Sequence, residues 1–295
     1  MSRKKKRVIL FGGAGFLGEY IVKELLKIKY FVIVFDTKKF EYKDKNLRFI
    51  KGDINNYSQV KKAVRKCIYV FNLAGISDIG EALKDPKGTV KTNILGTVNI
   101  LEACKEFKIK KHVFASSIYV LSSQGGFYRT SKSACELYIQ EYKKRYNLDF
   151  TIIRYGSVYG EKASIKNGIS KIIFNYYKTG KLKYSGTKNA IRNFIHVKDA
   201  AKLTIKTLSK KYTNFSVLIT GNQSIKIKDL MNYLKKELGT KKKLVYSNKT
   251  ELGHYDKNPY SYKKIKNKVL KFKEKISFYN NMDMLINYIK NEQFR

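Results

Sequence analysis

Residues 8–18 read Val8-Ile9-Leu10-Phe11-Gly12-Gly13-Ala14-Gly15-Phe16-Leu17-Gly18, and the fold turns on how that stretch is taken. Four consecutive large apolar residues closed by glycine fit a short strand buried on both faces. The glycines after it satisfy both a G-x-G-x-x-G and a G-x-x-G-x-x-G spacing. A strand that turns straight into a helix needs glycine three times: for the tight turn, for close approach of a pyrophosphate, and for seating the helix on the strand. An ordinary flexible turn also meets the pattern. The setting separates the two readings, because a helical run, 16–28, follows at once. Asp36 then closes the next apolar run, 18 residues beyond Gly18. A carboxylate there accepts hydrogen bonds from ribose hydroxyls and repels a 2′-phosphate, which favours NAD over NADP, although Lys38 and Lys39 keep NADP open.

Working outward, short apolar runs alternate with amphipathic ones through the first two thirds of the chain. Strands are predicted at 8–11, 31–35, 47–50, 68–73, 112–115 and 150–154, and helices at 16–28, 58–65 and 90–107. That alternation predicts an α/β fold with a doubly wound parallel sheet of the Rossmann kind. Residues 1–160 are read as the dinucleotide-binding domain. Residues 161–295 are read mainly as a smaller, interleaved substrate domain, with strands near 191–197 and 216–220 returning to the sheet.

At 295 residues the chain buries a large core without disulfides. Cys67, Cys104 and Cys135 are odd in number and lie at no metal-ligand spacing, so no metal is expected and a reducing, cytoplasmic setting is. The basic residues 3–7 before an apolar run imitate a signal peptide, yet that run holds four glycines and ends at Glu19. No stretch approaches the about 20 apolar residues of a membrane span. The formal charge of +39 raises nucleic-acid binding. Against it, only nine of 62 basic residues are arginine and the lysines are spread everywhere, as solvated faces would be. The expectation is no nucleic-acid partner.

Tyr-x-x-x-Lys occurs six times, from Tyr57, Tyr128, Tyr177, Tyr184, Tyr260 and Tyr262. Only Tyr128 stands between the Ser116-Ser117 end of a core strand and a long helical run. Sites in open parallel sheets lie beyond strand C-termini, so position singles out Tyr128 and Lys132. Residues four apart share a helix face, which brings the Lys132 ammonium near the Tyr128 side of the site. A free phenol titrates at about 10. A neighbouring cation favours phenolate and moves such a base toward working pH. Ser117 completes the set; a strand-end cap is its bland alternative and Ser116 its rival.

These motifs, in order, resemble the extended short-chain dehydrogenase/reductase family, in its nucleotide-sugar epimerase and dehydratase branch. Gly12 to Gly18, Asp36, Gly52-Asp53-Ile54, Asn72-Leu73-Ala74-Gly75, Asn93 to Asn99, Ser116-Ser117, Tyr128 to Lys132 and Arg192 to Asp199 carry the likeness from residue 7 to about residue 237. The resemblance implies NAD held by Gly12, Gly15, Phe16, Leu17, Gly18, Asp36, Asp53, Ile54, Leu73, Ala74, Gly75, Asn93, Tyr128 and Lys132. It implies a nucleotide-diphosphate sugar met by Ser117, Tyr128, Ser157 and Arg192, and a homodimer formed through helices 90–107 and 128–146. In the implied mechanism Tyr128 takes a proton from a sugar hydroxyl as hydride leaves, giving a keto-sugar that is reduced again on its other face. Two departures bear on this. Dehydratases of the branch carry Asp-Glu after the active-site hydroxyl residue, where this chain has Ile118-Tyr119, so dehydration is not expected. Ser157 stands where sugar epimerases often carry Asn. Epimerisation is thus the first expectation; reduction of a keto-sugar by NAD(P)H and a non-catalytic NAD-binding scaffold are the alternatives.

Overall fold

Val8, Ile9, Leu10 and Phe11 are fully buried in β1 (Arg7–Phe11), in a computed structural model that describes residues 5–165, 168–247, 253–254, 268–270 and 276–293. Side chains alternate across a strand. Ile9 and Phe11 therefore enter one core with Val60, Ile100, Leu101 and Ile139, while Val8 and Leu10 enter another with Ile21, Val22, Leu25 and Ala200. Burying each such side chain contributes about 1.5–3 kcal/mol.

The other expected strands form as β2 (Phe31–Asp36), β3 (Leu47–Lys51), β4 (Tyr69–Asn72), β5 (Lys111–Ser117) and β6 (Phe150–Tyr155). Short pieces follow: β7 (Ser157–Tyr159), β8 (Lys183–Tyr184), β9 (Ile191–Arg192), β10 (Phe194–His196), β11 (Phe215–Ile219), β12 (Ile225–Lys226), β13 (Val245–Tyr246) and β14 (Lys268–Val269). The helices are α1 (Phe16–Lys27), α2 (Tyr57–Val64), α3 (Ile79–Lys84), α4 (Pro86–Thr89), α5 (Gly96–Glu106), α6 (Gly126–Tyr146), α7 (Gly168–Thr179), α8 (Val197–Lys206), α9 (Ile227–Glu237) and α10 (Met282–Gln293). Among the described residues no helix is long and apolar enough to cross a membrane.

The main sheet runs β14-β11-β6-β5-β4-β1-β2-β3, every neighbour parallel. Its direction of winding reverses between β1 and β4, which opens a crevice at their C-terminal ends where ligands bind in such sheets. A third core gathers α7, α9 and α10 through Ile173, Leu230, Met231, Met282 and Leu285.

Two features differ from expectation. Of the two returning strands, 216–220 rejoins the sheet as β11 beside β6, but 191–197 does not. It splits at Asn193, whose side chain donates to Gly221 O and Ser224 Oγ; β9 then pairs antiparallel with β12 and β10 pairs with β7. The run 90–107 is interrupted as well. Val90–Leu95 forms a π-helical turn before α5, because the Asn93 carbonyl accepts from the Thr97 hydroxyl at 2.6 Å and the Cys135 thiol at 3.1 Å.

His112 is fully buried in β5, and neither ring nitrogen has a hydrogen-bond partner among the described residues. Burial lowers its pKa from 6.5 to about 3. The unfolded imidazole therefore takes a proton at a pH where the folded one does not. Stability is complete above about pH 6.5 and should fall by about 1.4 kcal/mol per pH unit below it, down to about pH 3. Urea midpoints measured across that window should decline less steeply in His112→Phe.

Candidate active site

The glycine turn between β1 and α1 is built to let another backbone close. Gly12 has φ +78°, and a Cβ there would sit 2.6 Å from Ala74 N. A Cβ on Gly18 would meet Gly12 O at 2.6 Å, so α1 lies against the turn itself. Gly15 caps α1 without a side chain, and the first-turn N–H groups of α1 remain for an anion. Asp36 holds the turn shut: its Oδ2 accepts from Ala14 N and its Oδ1 from Lys38 N, each at 2.9 Å. Each carboxylate oxygen keeps a lone pair for a ribose hydroxyl. These residues fit a dinucleotide. Gly12→Ala is expected to cost about 1–3 kcal/mol in strain, to push Ala74 outward and to weaken NAD binding, as calorimetry on stripped protein would read.

Around the turn, Ile54 is buried under Gly96, where a Cβ would reach its Cδ1 at 2.5 Å, and Asn99 Nδ2 donates to Ile54 O. Asp53 is exposed and accepts from the backbone and side-chain N–H of Asn55. Leu73 and Ala74 continue β4, and Gly75 adopts φ +147° with its Cβ position 2.7 Å from Asn93 Oδ1 and 3.8 Å from Lys132 Nζ. The Asn93 side chain is spent on bracing: Oδ1 accepts from Ile76 N, while Nδ2 donates to Ile76 O and Ser131 Oγ.

Tyr128 lies close to Ser117, and Lys132, one turn further along the same helix, reaches toward Gly75. Gly125 and Gly126, both at positive φ, swing the chain from the end of β5 into α6 so that its first turn returns over the strand. Tyr128 is buried, and the Oγ of Ser117 close to it accepts from Tyr119 N. Burial raises the Tyr128 phenol above its ordinary value and the nearby Ser117 hydroxyl opposes this. The Lys132 ammonium, one helical turn beyond Tyr128, donates to Ala115 O at 2.8 Å and lies 4.8 Å over the Phe114 ring. Burial holds Lys132 below its ordinary value, with Cys135 and Glu136 opposing. An ammonium has three donors. Ala115 takes one, and the others suit the hydroxyls of a ribose.

Ser116 is committed elsewhere. Its Oγ donates to Glu136 Oε1 at 2.5 Å, and Arg154 Nε and Nη2 donate to the same carboxylate at 3.0 and 2.5 Å. Ser157 stands half-buried in β7, and Arg192 is buried in β9, where its Nη1 donates to Ile191 O. Sequence reasoning missed Glu136, although it lies one helical turn beyond Lys132 on the same face. It also missed His254, whose Nδ1 is 2.9 Å from Tyr119 Oη; nothing periodic around residue 254 marks it.

Residues 8–217 match the model of the NAD dependent epimerase/dehydratase family. A putative UDP-glucose 4-epimerase of Methanocaldococcus jannaschii is 28% identical over 96% of this chain and 98% of its own. A UDP-glucuronate 4-epimerase of Thermodesulfobacterium geofontis is also 28% identical, over 81% and 83%. Among solved structures, the UDP-glucose 4-epimerase of Thermotoga maritima with UDP-glucose superposes with a TM-score of 0.84 at 21% identity, over 97% of this chain and 99% of that one. The UDP-glucuronic acid 4-epimerase of Bacillus cereus, with a substrate analogue and NAD, does so with 0.85 at 22%, over the same shares. At such identities the superpositions speak for the fold, and the family match speaks for descent. With residues 8–217, well over half of its length, matched by that family's model, the chain belongs to the NAD dependent epimerase/dehydratase family.

Proposed function

We propose that the protein is an NAD-dependent epimerase of a nucleotide-diphosphate sugar, a UDP-hexose inverted at C4 through a transient keto-sugar, with Tyr128 as acid/base. The observation that carries this reading is the placing of the buried Tyr128 close to the Ser117 hydroxyl, with Lys132 on the next turn of the same helix reaching toward Gly75. The names of the relatives supply the sugar class and the carbon. Gly12, Gly15, Phe16, Leu17 and Gly18 would bind the diphosphate of NAD, and Asp36 its adenosine ribose. Asp53, Ile54, Leu73, Ala74 and Gly75 would line the rest of its pocket, Asn93 bracing them from behind. Residues 161–295 would mainly serve the substrate, with Arg192 on its diphosphate and Ser157 near the sugar.

Bound NAD supplies a hydride acceptor and, when oxidised, a positive ring whose charge favours phenolate. Ser117 hydrogen-bonds the reacting hydroxyl and the developing carbonyl, and Tyr128 takes the hydroxyl proton. Burial keeps that proton on the phenol until it is returned to the carbonyl oxygen, as the carbon of the keto-sugar is reduced again on its other face. Lys132 orients the nicotinamide ribose and keeps a cation in the pocket. The three buried cysteines, all free, suit a reducing cytoplasm.

Purified protein given UDP-glucose, UDP-N-acetylglucosamine or UDP-glucuronate should yield the 4-epimer with no net change in reduced nicotinamide. Stoichiometric oxidation of NADH without an epimer would instead mean a reductase. A second copy of the chain would cover the exposed Val90, Leu95, Leu137 and Tyr138, Leu137 being 65% exposed. Light scattering should then give twice the chain mass.

A further inference from the structure

Tyr119 is tied into the site from four sides. Its N–H donates to Ser117 Oγ at 3.3 Å, and its ring meets that of Tyr128 edge-on with centroids 6.3 Å apart. Gly125 leaves room for it, since a Cβ there would lie 3.0 Å from Tyr119 Cδ1. Its hydroxyl lies 2.9 Å from Nδ1 of His254, a residue 135 positions further along the chain. The neighbouring Gly253 is seated on α3, where a Cβ would come within 2.8 Å of Ile79 Cγ2. Ile79, Leu83 and Tyr119 belong to the apolar cluster that holds Tyr128.

Two remote segments thus deliver a phenol and an imidazole to one point, and the phenol's ring lies edge-on to that of Tyr128. Tyr119 and His254 are both half-buried, and a hydrogen bond between such side chains exchanges bonds to water and adds little net stability. A polar ligand at that point gives the pair a use. We propose that the Tyr119–His254 pair forms the sugar-recognising wall of the active site, binding ring substituents next to the carbon that reacts at Ser117 and Tyr128. This rests on the reading of the substrate as a nucleotide-sugar. His254 acts partly through Tyr119, whose hydroxyl it positions, and the pair makes no demand on the nucleotide. It therefore governs which sugar is accepted and leaves the affinity for the nucleotide alone.

The test is calorimetry on the full-length, NAD-loaded protein with UDP and with UDP-glucose, UDP-N-acetylglucosamine and UDP-glucuronate. The ratio of a UDP-sugar's affinity to that of UDP isolates the sugar's share. Tyr119→Phe and His254→Leu should each cut that ratio about fivefold to tenfold, the worth of one hydrogen bond, with UDP affinity within about twofold of the parent. His254→Asn, which can still bond the Tyr119 hydroxyl, should keep most of the ratio; circular dichroism checks that each variant is folded. An unchanged ratio in both variants, or UDP and UDP-sugar affinities falling in step, would overturn the proposal. If the parent protein bound neither UDP nor any UDP-sugar, the nucleotide-sugar reading itself would fail and this proposal with it.

Discussion

Replacing Tyr128 with Phe should lower kcat by about 10²- to 10⁴-fold, the usual worth of a positioned acid/base, while NAD and UDP-sugar still bind. The substitution removes one oxygen. The ring stays packed against Ile79, Ala82 and Tyr119, and Ser117 Oγ still accepts from Tyr119 N. The pocket is therefore preserved and only the proton's carrier is lost. Kinetics on a UDP-sugar, with calorimetry for NAD and UDP-sugar, check both halves. Unchanged turnover would remove Tyr128 from the mechanism.

The largest stability effect should come from Glu136→Ala. Glu136 and Arg154 form an ion pair in which both side chains are only about one-twentieth exposed, and Ser116 donates to the same carboxylate. Taking away one partner leaves a guanidinium in low dielectric without that carboxylate, a loss of about 3–5 kcal/mol. The position matters beyond stability. Glu136 docks α6 onto β5 and β6 at the register pair Ser116–Arg154, and the same helix carries Tyr128 and Lys132. Urea denaturation should show the loss directly. Changing both partners, as Glu136→Leu with Arg154→Met, should recover much of it, because no buried charge is then left uncompensated.

Much of this arrangement is legible in the residues. Parallel strands buried on both faces are written as unbroken apolar runs such as Val8 to Phe11, so the inner strands stand out, while the edge strand β3, broken by Arg48, is written more faintly. Tyr128 is distinguishable among six Tyr-x-x-x-Lys pairs because it alone stands between the Ser116-Ser117 strand end and a long helical run, and the structure puts it beside Ser117. What is not legible is set by tertiary contacts. Two-residue strands such as Lys268–Val269 have no periodicity to detect. The π-helical turn depends on a thiol from α6 meeting the Asn93 carbonyl. Lys132 turns to the Ala115 carbonyl, a partner on another element that helical spacing does not reveal. His254 acquires its meaning only when the chain returns to Tyr119.

The most direct test of hydride leaving and returning at one carbon, with Tyr128 managing only the proton, is turnover of a UDP-hexose carrying deuterium at C4. Mass spectrometry and NMR of both epimers should find the label kept on C4. Label lost to solvent water would mean inversion by carbon deprotonation, and the hydride account would be wrong.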